Sequence, residues 1–177
     1  LKENAIAREQ SFIYGVRSDS TTTKIRTSGG IKSFLTTNND ATSTELTVAK
    51  ISTNMAACWN AGGVPDQLWV NPVSLATLNA ANDSTVRVTN VETQRGNKPV
   101  MTVTTEFGDL TVVRNRNIRP LHAFGVFKEA ICRRVFDPVF TERLAKTGDS
   151  ENWMLVGEEG LEVKGEQHCF QMSALVY

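Results

Sequence analysis

An excess of either charge is missing from this 177-residue chain: 19 Lys and Arg stand against 19 Asp and Glu, a formal net charge of zero. Without a global basic field nothing draws the chain to nucleic acid or to an anionic membrane surface, and the sequence predicts neither partner. Long apolar runs are missing too. No stretch approaches the roughly 18 uninterrupted apolar residues of a membrane span, and the N-terminal LKENAIAREQ is polar where a signal peptide would be apolar. Cysteine is scarce. Cys58, Cys132 and Cys169 are widely spaced and odd in number, which speaks against a disulfide framework and fits three buried thiols made in a reducing cytoplasm. His122 and His168 form no metal-ligand spacing with each other or with cysteine, so a metal site would have to be assembled from distant segments and none is expected. What the chain does have is 40% apolar residues, enough to pack one domain, or one domain with an appended lobe.

Catalytic motifs are also lacking. Lys146-Thr147-Gly148 matches one element of the penicillin-recognising serine hydrolases, whose mechanism needs a serine activated by a lysine one helical turn later. No Ser-x-x-Lys occurs; the nearest stretch, Thr21-Thr22-Thr23-Lys24, lies in a loop-like region. There is no G-x-S-x-G elbow, no phosphate-binding G-x-x-x-x-G-K-[ST], no G-x-G-x-x-G and no H-E-x-x-H. The KTGD segment therefore reads as the glycine-terminated end of a helical turn over Thr141–Lys146. Glu158 and Glu159 are adjacent, and neighbours on a strand point to opposite faces, so they make a poor acid/base dyad. Asn82-Asp83-Ser84 matches a glycosylation acceptor by spacing alone, which means little without a secretory route. No catalytic, cofactor-binding or metal residue is expected.

Several elements are legible. Leu1–Tyr14 keeps a helical stripe (Leu1, Ala5, Arg8/Glu9, Phe12/Ile13) with no capping residue ahead of it, so it reads as the end of a longer helix and predicts a parent polypeptide that extends upstream. From Ser18 to Asn39, Ser, Thr, Gly and Asn dominate around the short run GIKSFL, which predicts extended or looped backbone over helix, a connecting strap. Thr42 and Glu45 form a capping box ahead of a helix with Val48, Ile51, Met55, Cys58 and Trp59 on one face, ended by Gly62-Gly63. Asp66–Val70 predicts a buried strand, and Asn71-Pro72 the cap and first turn of a second helix through Leu75 and Leu78. Strands are then expected at 86–91, at 100–107 with a two-residue turn at Gly108-Asp109 into LTVV, and near 122–128, 130–135, 153–157, 161–164 and 168–176. Trp59, Trp69 and Trp153 are expected in the core. The pattern is α+β with many antiparallel strands.

One polar cluster stands out. RNRNIR places Arg114, Arg116 and Arg119 near a strand end, where their planar forks suit bidentate pairing with carboxylates of a neighbouring subunit. Glu158 and Glu159 are the acidic candidates for such contacts. A solvated loop and a solvated acidic turn are the bland readings.

Taken together, TEFGDLTVVRNR (Thr105–Arg116) and LAKTGDSENWMLVGEEGLEVKGEQHCFQMSAL (Leu144–Leu175) resemble the major capsid proteins of the SU10-like family of tailed bacteriophages, which share the Hong Kong 97 (HK97-like) capsid fold with encapsulins and herpesvirus shells. Helix 42–61, GGVPDQLWVNP and GIKSFL sit where that family has them. The resemblance implies an axial domain plus a peripheral domain with a truncated spine helix and a long antiparallel sheet. It places residues 1–40 as the end of the spine helix and a strap, 41–120 mainly in the axial domain, and 121–177 as strands returning to the periphery. It implies a self-assembling shell subunit with no enzymatic activity and no cofactor, forming pentameric and hexameric capsomers of a virion capsid that encloses DNA without reading it, synthesised in the bacterial host cytoplasm. An encapsulin-like compartment is the alternative within the same fold. A hydrolase centred on Lys146 and Ser150 and a receptor-binding tail module are the alternatives outside it.

Overall fold

The computed structural model describes residues 2–22, 26–82, 89–91, 100–146 and 148–176. Helix α1 (Lys2–Tyr14) buries Ile13 and leaves most of its length bare. A strap follows: β1 (Ser18–Asp19) pairs antiparallel with β2 (Arg26–Thr27). The Gly30 N–H donates to the Gly15 carbonyl across 2.8 Å, closing the loop back onto the end of α1. GIKSFL is not extended as expected. Ile31–Phe34 form a helical turn, α2, because Ile31 and Leu35, four residues apart, must both enter the core.

After β3 (Asn39–Asp40) comes α3 (Val48–Asn60). The Thr42–Glu45 capping box does not form. Thr47 is the N-cap, its hydroxyl accepting from the Lys50 N–H at 3.3 Å, while Thr42 turns back to the Asp40 carboxylate. The chain stays extended to Leu46 because Glu45 bridges to Val176 and Leu46 has to reach the interior, so the helix can start only afterwards. Its end is as expected, at Gly62 with φ 84°. β4 (Gln67–Val70) leads through Asn71, whose side-chain oxygen accepts from the Val73 N–H at 3.0 Å, into α4 (Pro72–Asn82).

The expected strand at 86–91 falls partly outside the described residues, as do Asp83 and Ser84; its described part is β5 (Thr89–Val91). β6 (Val100–Thr105) and β7 (Gly108–Arg114) form a hairpin, but its turn is Glu106-Phe107, and Gly108 opens the return strand opposite Thr105. Packing decides the register. It sets buried Val103 opposite buried Leu110, whereas a turn at Gly108-Asp109 would have set Val103 opposite Arg114. β8 (Ala123–Val126) and β11 (Phe170–Met172) complete a seven-stranded sheet of order β3-β11-β8-β4-β7-β6-β5. Only three residues of the expected 168–176 strand are β, since a 3-10 turn over Glu166–His168 precedes them.

Both faces of this sheet are covered. α3 and α4 pack Ile51, Met55, Leu75 and Leu78 on Leu68, Val70, Leu110 and Phe170. On the other face Ile13, Ile31 and Leu35 meet Ile118, Phe124 and Val126. Alternation along β4 and β8 assigns each side chain to its face, which is why every residue of β8 and β11 is buried.

The two longest strands leave this body. β9 (Ile131–Arg143) and β10 (Trp153–Val163) form a separate antiparallel pair, an arm. The helical turn expected at 141–146 is absent: Thr141–Arg143 pair with Leu155–Trp153, because a ladder partner that is close in space outweighs a weak local helical signal. The expected strands at 153–157 and 161–164 are likewise one strand. Pro138, which has no N–H to give a ladder, sits where the register shifts around Gly157. A Cβ on Gly157 would stand 2.7 Å from Val139 Cγ2, so the irregularity needs glycine opposite the bulged strand.

Two of the three tryptophans depart from expectation. Trp69 packs against the second core, but Trp59 is 53% exposed and Trp153 62%. Trp59 lies on the outer side of α3 beside Phe107, and Trp153 lies on the arm. Cys58 and Cys169 are buried as read, while Cys132, on the arm, is only half-buried.

Candidate functional site

The arm's base is tied to the body by one carboxylate. Glu159, on β10, takes hydrogen bonds from the Nε atoms of Arg8 on α1 and Arg133 on β9, the latter at 2.5 Å. The Glu159 side chain is only 10% exposed. The Arg8 hydrogen bond is the largest influence and holds its pKa below the ordinary carboxylate value; burial opposes it, and the Arg133 hydrogen bond and the two positive charges add to the lowering. Between α1 and the arm runs a groove of about 350 Å³, lined by Ala7, Phe12, Val139, Leu155 and Val156 around this clasp. Glu158, the other acidic candidate, is exposed, and it stands opposite Asp137 across the ladder.

The arginine cluster lies elsewhere, on the loop after β7. Arg114, Arg116 and Arg119 are all exposed. Two asparagines tie the loop to α1: the Asn115 and Asn117 side-chain amides both donate to the Glu9 carboxylate. Arg119 adds a guanidinium 4.6 Å over the Tyr14 ring, and its backbone N–H donates to the Tyr14 hydroxyl at 2.7 Å. Thus Arg114, Arg116 and Arg119 share one rim, while Glu158 and Glu159 sit on the arm and are not brought together with them.

The KTG segment is at the arm's tip. Lys146 is exposed and 3.7 Å from Glu151, and Gly148 has φ 92°; Thr147 lies outside the described residues. The segment turns a β-hairpin instead of ending a helix. His122 is buried beside Tyr14 and Phe124, and burial, then Lys32 and Arg119, push its pKa below the ordinary value. Among the described residues no group of three His, Cys, Asp or Glu could hold a metal ion.

Arg8 and Arg133 were not singled out from the sequence. Complementarity between Arg133-Arg134 and the acidic run Glu158–Glu162 is the signal that finds half of the clasp. Arg134 pairs with Glu162 one step along the same ladder.

This architecture, a two-sided mixed sheet with a single helix laid along a long two-stranded arm, matches known families. The model of the SU10 major capsid protein family aligns with residues 1–175. The chain belongs to the SU10 major capsid protein family. No curated protein sequence matches it. Two solved structures are similar to this SU10-family chain in fold. One is the holo-SrpI encapsulin complex of Synechococcus elongatus PCC 7942, with a TM-score of 0.65 and 9% identity over 98% of this chain and 62% of that one. The other is a virus-like particle from Pyrococcus furiosus, with a TM-score of 0.53 and 13% identity over 97% of this chain and 64% of that one. The fold is the HK97-like one, α+β as the sequence implied, and the chain spans somewhat less than two thirds of these relatives' length.

Proposed function

We propose that this chain is the structural shell subunit of a tailed phage or prophage head, a non-enzymatic protein that assembles with copies of itself into pentameric and hexameric capsomers of a virion capsid. The match of the SU10 family model to residues 1–175 carries this reading, and the HK97-like fold supports it. Physical reasoning points the same way. The side chains that converge here brace elements against each other, as Glu159 does between α1 and the arm, and a closed symmetric shell multiplies modest contacts into a stable particle. In this reading residues 41–120 form mainly the axial domain, and residues 1–40 and 121–177 the peripheral one, even though β8 and β11 of the latter share a sheet with β4 and β7. Arg114, Arg116, Arg119 and Glu158 meet neighbouring subunits, and Glu159 braces that surface from within. DNA is enclosed without sequence-specific contacts, and the protein is made in the bacterial host cytoplasm.

The second reading, an encapsulin-like compartment, is favoured by the fold likeness at a TM-score of 0.65. Electron microscopy of the full-length protein tests the first: closed icosahedral particles are expected, and a monodisperse monomer under assembly conditions overturns it. The nucleic-acid content of purified particles separates DNA-filled heads from protein-loaded compartments.

A further inference from the structure

Beside the end of α1 a titratable ring lies inside the structure only partly satisfied. His122 is 8% exposed, and its Nδ1 has no hydrogen-bond partner among the described residues. Such an atom costs free energy in every folded molecule and calls for an explanation.

The ring sits where α1, the strap and the sheet meet. Tyr14, the last residue of α1, stands edge-on to it with ring centroids 5.6 Å apart, and the Phe124 ring of β8 stacks beside it. His122 also closes the turn that grips α1, its backbone N–H donating to the Arg119 carbonyl at 2.9 Å. Arg119 in turn holds Tyr14 twice. Its N–H donates to the Tyr14 hydroxyl at 2.7 Å, and its guanidinium lies 4.6 Å over the Tyr14 ring. The strap joins at the same place, because the Gly30 N–H donates to the carbonyl of Gly15, the residue after Tyr14.

These surroundings suit the ring only while it is uncharged. α2 contributes Lys32 and the turn contributes Arg119, both positive and both opposing a charge on His122. The same loop adds Arg114 and Arg116, again positive. α1 contributes Tyr14, whose pKa burial raises, so it stays neutral in acid. The α1 carboxylate on this side, Glu9, is taken by the Asn115 and Asn117 amides. β8 and β11 carry no ionisable group, and neither does the segment 173–176, which meets the turn where the Leu175 N–H donates to the Leu121 carbonyl. A proton on His122 therefore meets two cations and apolar rings, with no carboxylate paired to it. Solvent is close by. A groove of about 380 Å³ runs between α1 and the turn, lined by Gln10, Ser11, Tyr14, Asn117 and Arg119. A charged ring gains by turning toward that water, and the contact that yields is the grip on Tyr14. The ladders of β8 use neither His122 nor Arg119.

We propose that His122 is an acid-operated latch, whose protonation frees the C-terminal end of α1 and the first residues of the strap while the seven-stranded sheet stays folded. The latch is independent of the shell reading. Because one proton is taken up, the open fraction rises at most about tenfold per pH unit below the ordinary imidazole value of about 6.5.

Hydrogen exchange of the full-length protein at about pH 7.5 and about pH 5.5, corrected for the intrinsic rate at each pH and read by mass spectrometry, tests it. Protection of Ser11–Arg17 and Ile118–His122 is expected to fall about three- to tenfold at the lower pH. Exchange there is expected to be unmoved by about 1 M urea, the mark of a local opening, while β4 and β8 exchange at least about fivefold faster in it. His122→Phe is expected to abolish the fall, and His122→Gln, which keeps a polar side chain and cannot take the proton, to do the same where the phenylalanine variant does not fold. Unchanged protection in the wild type shows that the buried ring accepts its charge in place. A fall that depends on urea as β4 and β8 do shows that the proton acts only through global unfolding, and a fall that persists in the variants assigns it to another group. Each of these three results overturns the proposal.

Discussion

Replacing Gly125 by alanine should be costly for a reason that can be removed by a second substitution. Gly125 on β8 is the ladder partner of Phe170 on β11, and the Phe170 ring lies across the glycine. A Cβ at Gly125 would stand 2.0 Å from Cε1, 2.2 Å from Cζ and 2.5 Å from Cδ1 of that ring. Such separations require something to move, and Phe170 is fully buried in the main core, so the ring has no free space to swing into. Overpacking of this kind costs about 1–3 kcal/mol, and the upper half of that range is expected because strands constrain both partners. In a strand without the ring, alanine should instead gain about 0.5–1 kcal/mol over glycine by restricting the unfolded chain. The Phe170→Ala background removes all three of these ring atoms. There Gly125→Ala should be neutral or mildly stabilising, giving a coupling of about 2 kcal/mol in the double-mutant cycle.

Urea unfolding of the four proteins, followed by far-ultraviolet circular dichroism at one pH, measures this directly. The pair should stabilise each other relative to the sum of the single changes. If Gly125→Ala costs the same about 2 kcal/mol in both backgrounds, the ring is not the cause and the cost lies in the backbone. If it costs nothing even in the wild type, the sheet and core relax more readily than close packing allows.

Other consequences are as direct. Burial, then the positive charges of Lys32 and Arg119, hold His122 below its ordinary pKa of 6.5, with Tyr14 edge-on to it and Phe124 stacked beside it, so the unfolded chain binds a proton that the folded chain refuses. Stability should therefore be full above pH 6.5 and decline as pH falls below it, by at most about 1.4 kcal/mol per pH unit; His122→Phe should flatten the profile between pH 5 and 7, and an unchanged slope would assign it to other groups. Arg8, and then Arg133, lower the pKa of Glu159, so its contribution is present above about pH 4.5 and lost as pH drops through the folded-state value. Glu159→Gln should remove that acid dependence and raise hydrogen exchange in α1 without changing exchange in β8 and β11; equal protection in α1 would show that the clasp does not hold the helix. Burial pushes the Cys58 thiol up to about 12 and raises that of Cys169, while Cys132 is half-buried on the arm. An aromatic disulfide reagent should then modify Cys132 alone in the native protein, and early loss of Cys58 would contradict the packing described here.

Local signals were legible where the physics is local. Asn71 ahead of Pro72 caps α4 because the cap and the fixed proline φ act within three residues, and Gly62 ends α3 for the same kind of reason. Signals failed where a distant partner decides. The Thr42–Glu45 box is well formed as a motif, yet the pull of Leu46 into the core and the bridge from Glu45 to Val176 delay the helix to Thr47. The hairpin turn moved two residues toward the N-terminus because Val103 and Leu110 have to face the same core, which no turn propensity records. Arg114, Arg116 and Arg119 were visible as a run, but Arg8 was not visible as the partner of Glu159, since the two are 151 residues apart.

The misplaced tryptophan on the arm has a further meaning. Trp153 was assigned to the core on the rule that a large aromatic side chain gains most by burial, and that rule concerns burial by whatever covers it, including another chain. Within one chain, the distal arm gains little: its two strands pair, but neither of its faces acquires a full partner among the described residues. A two-stranded hairpin is only marginal alone, and this one is held to the body at its base, by Ile131 and Leu161 against the second core and by the Glu159 clasp on α1.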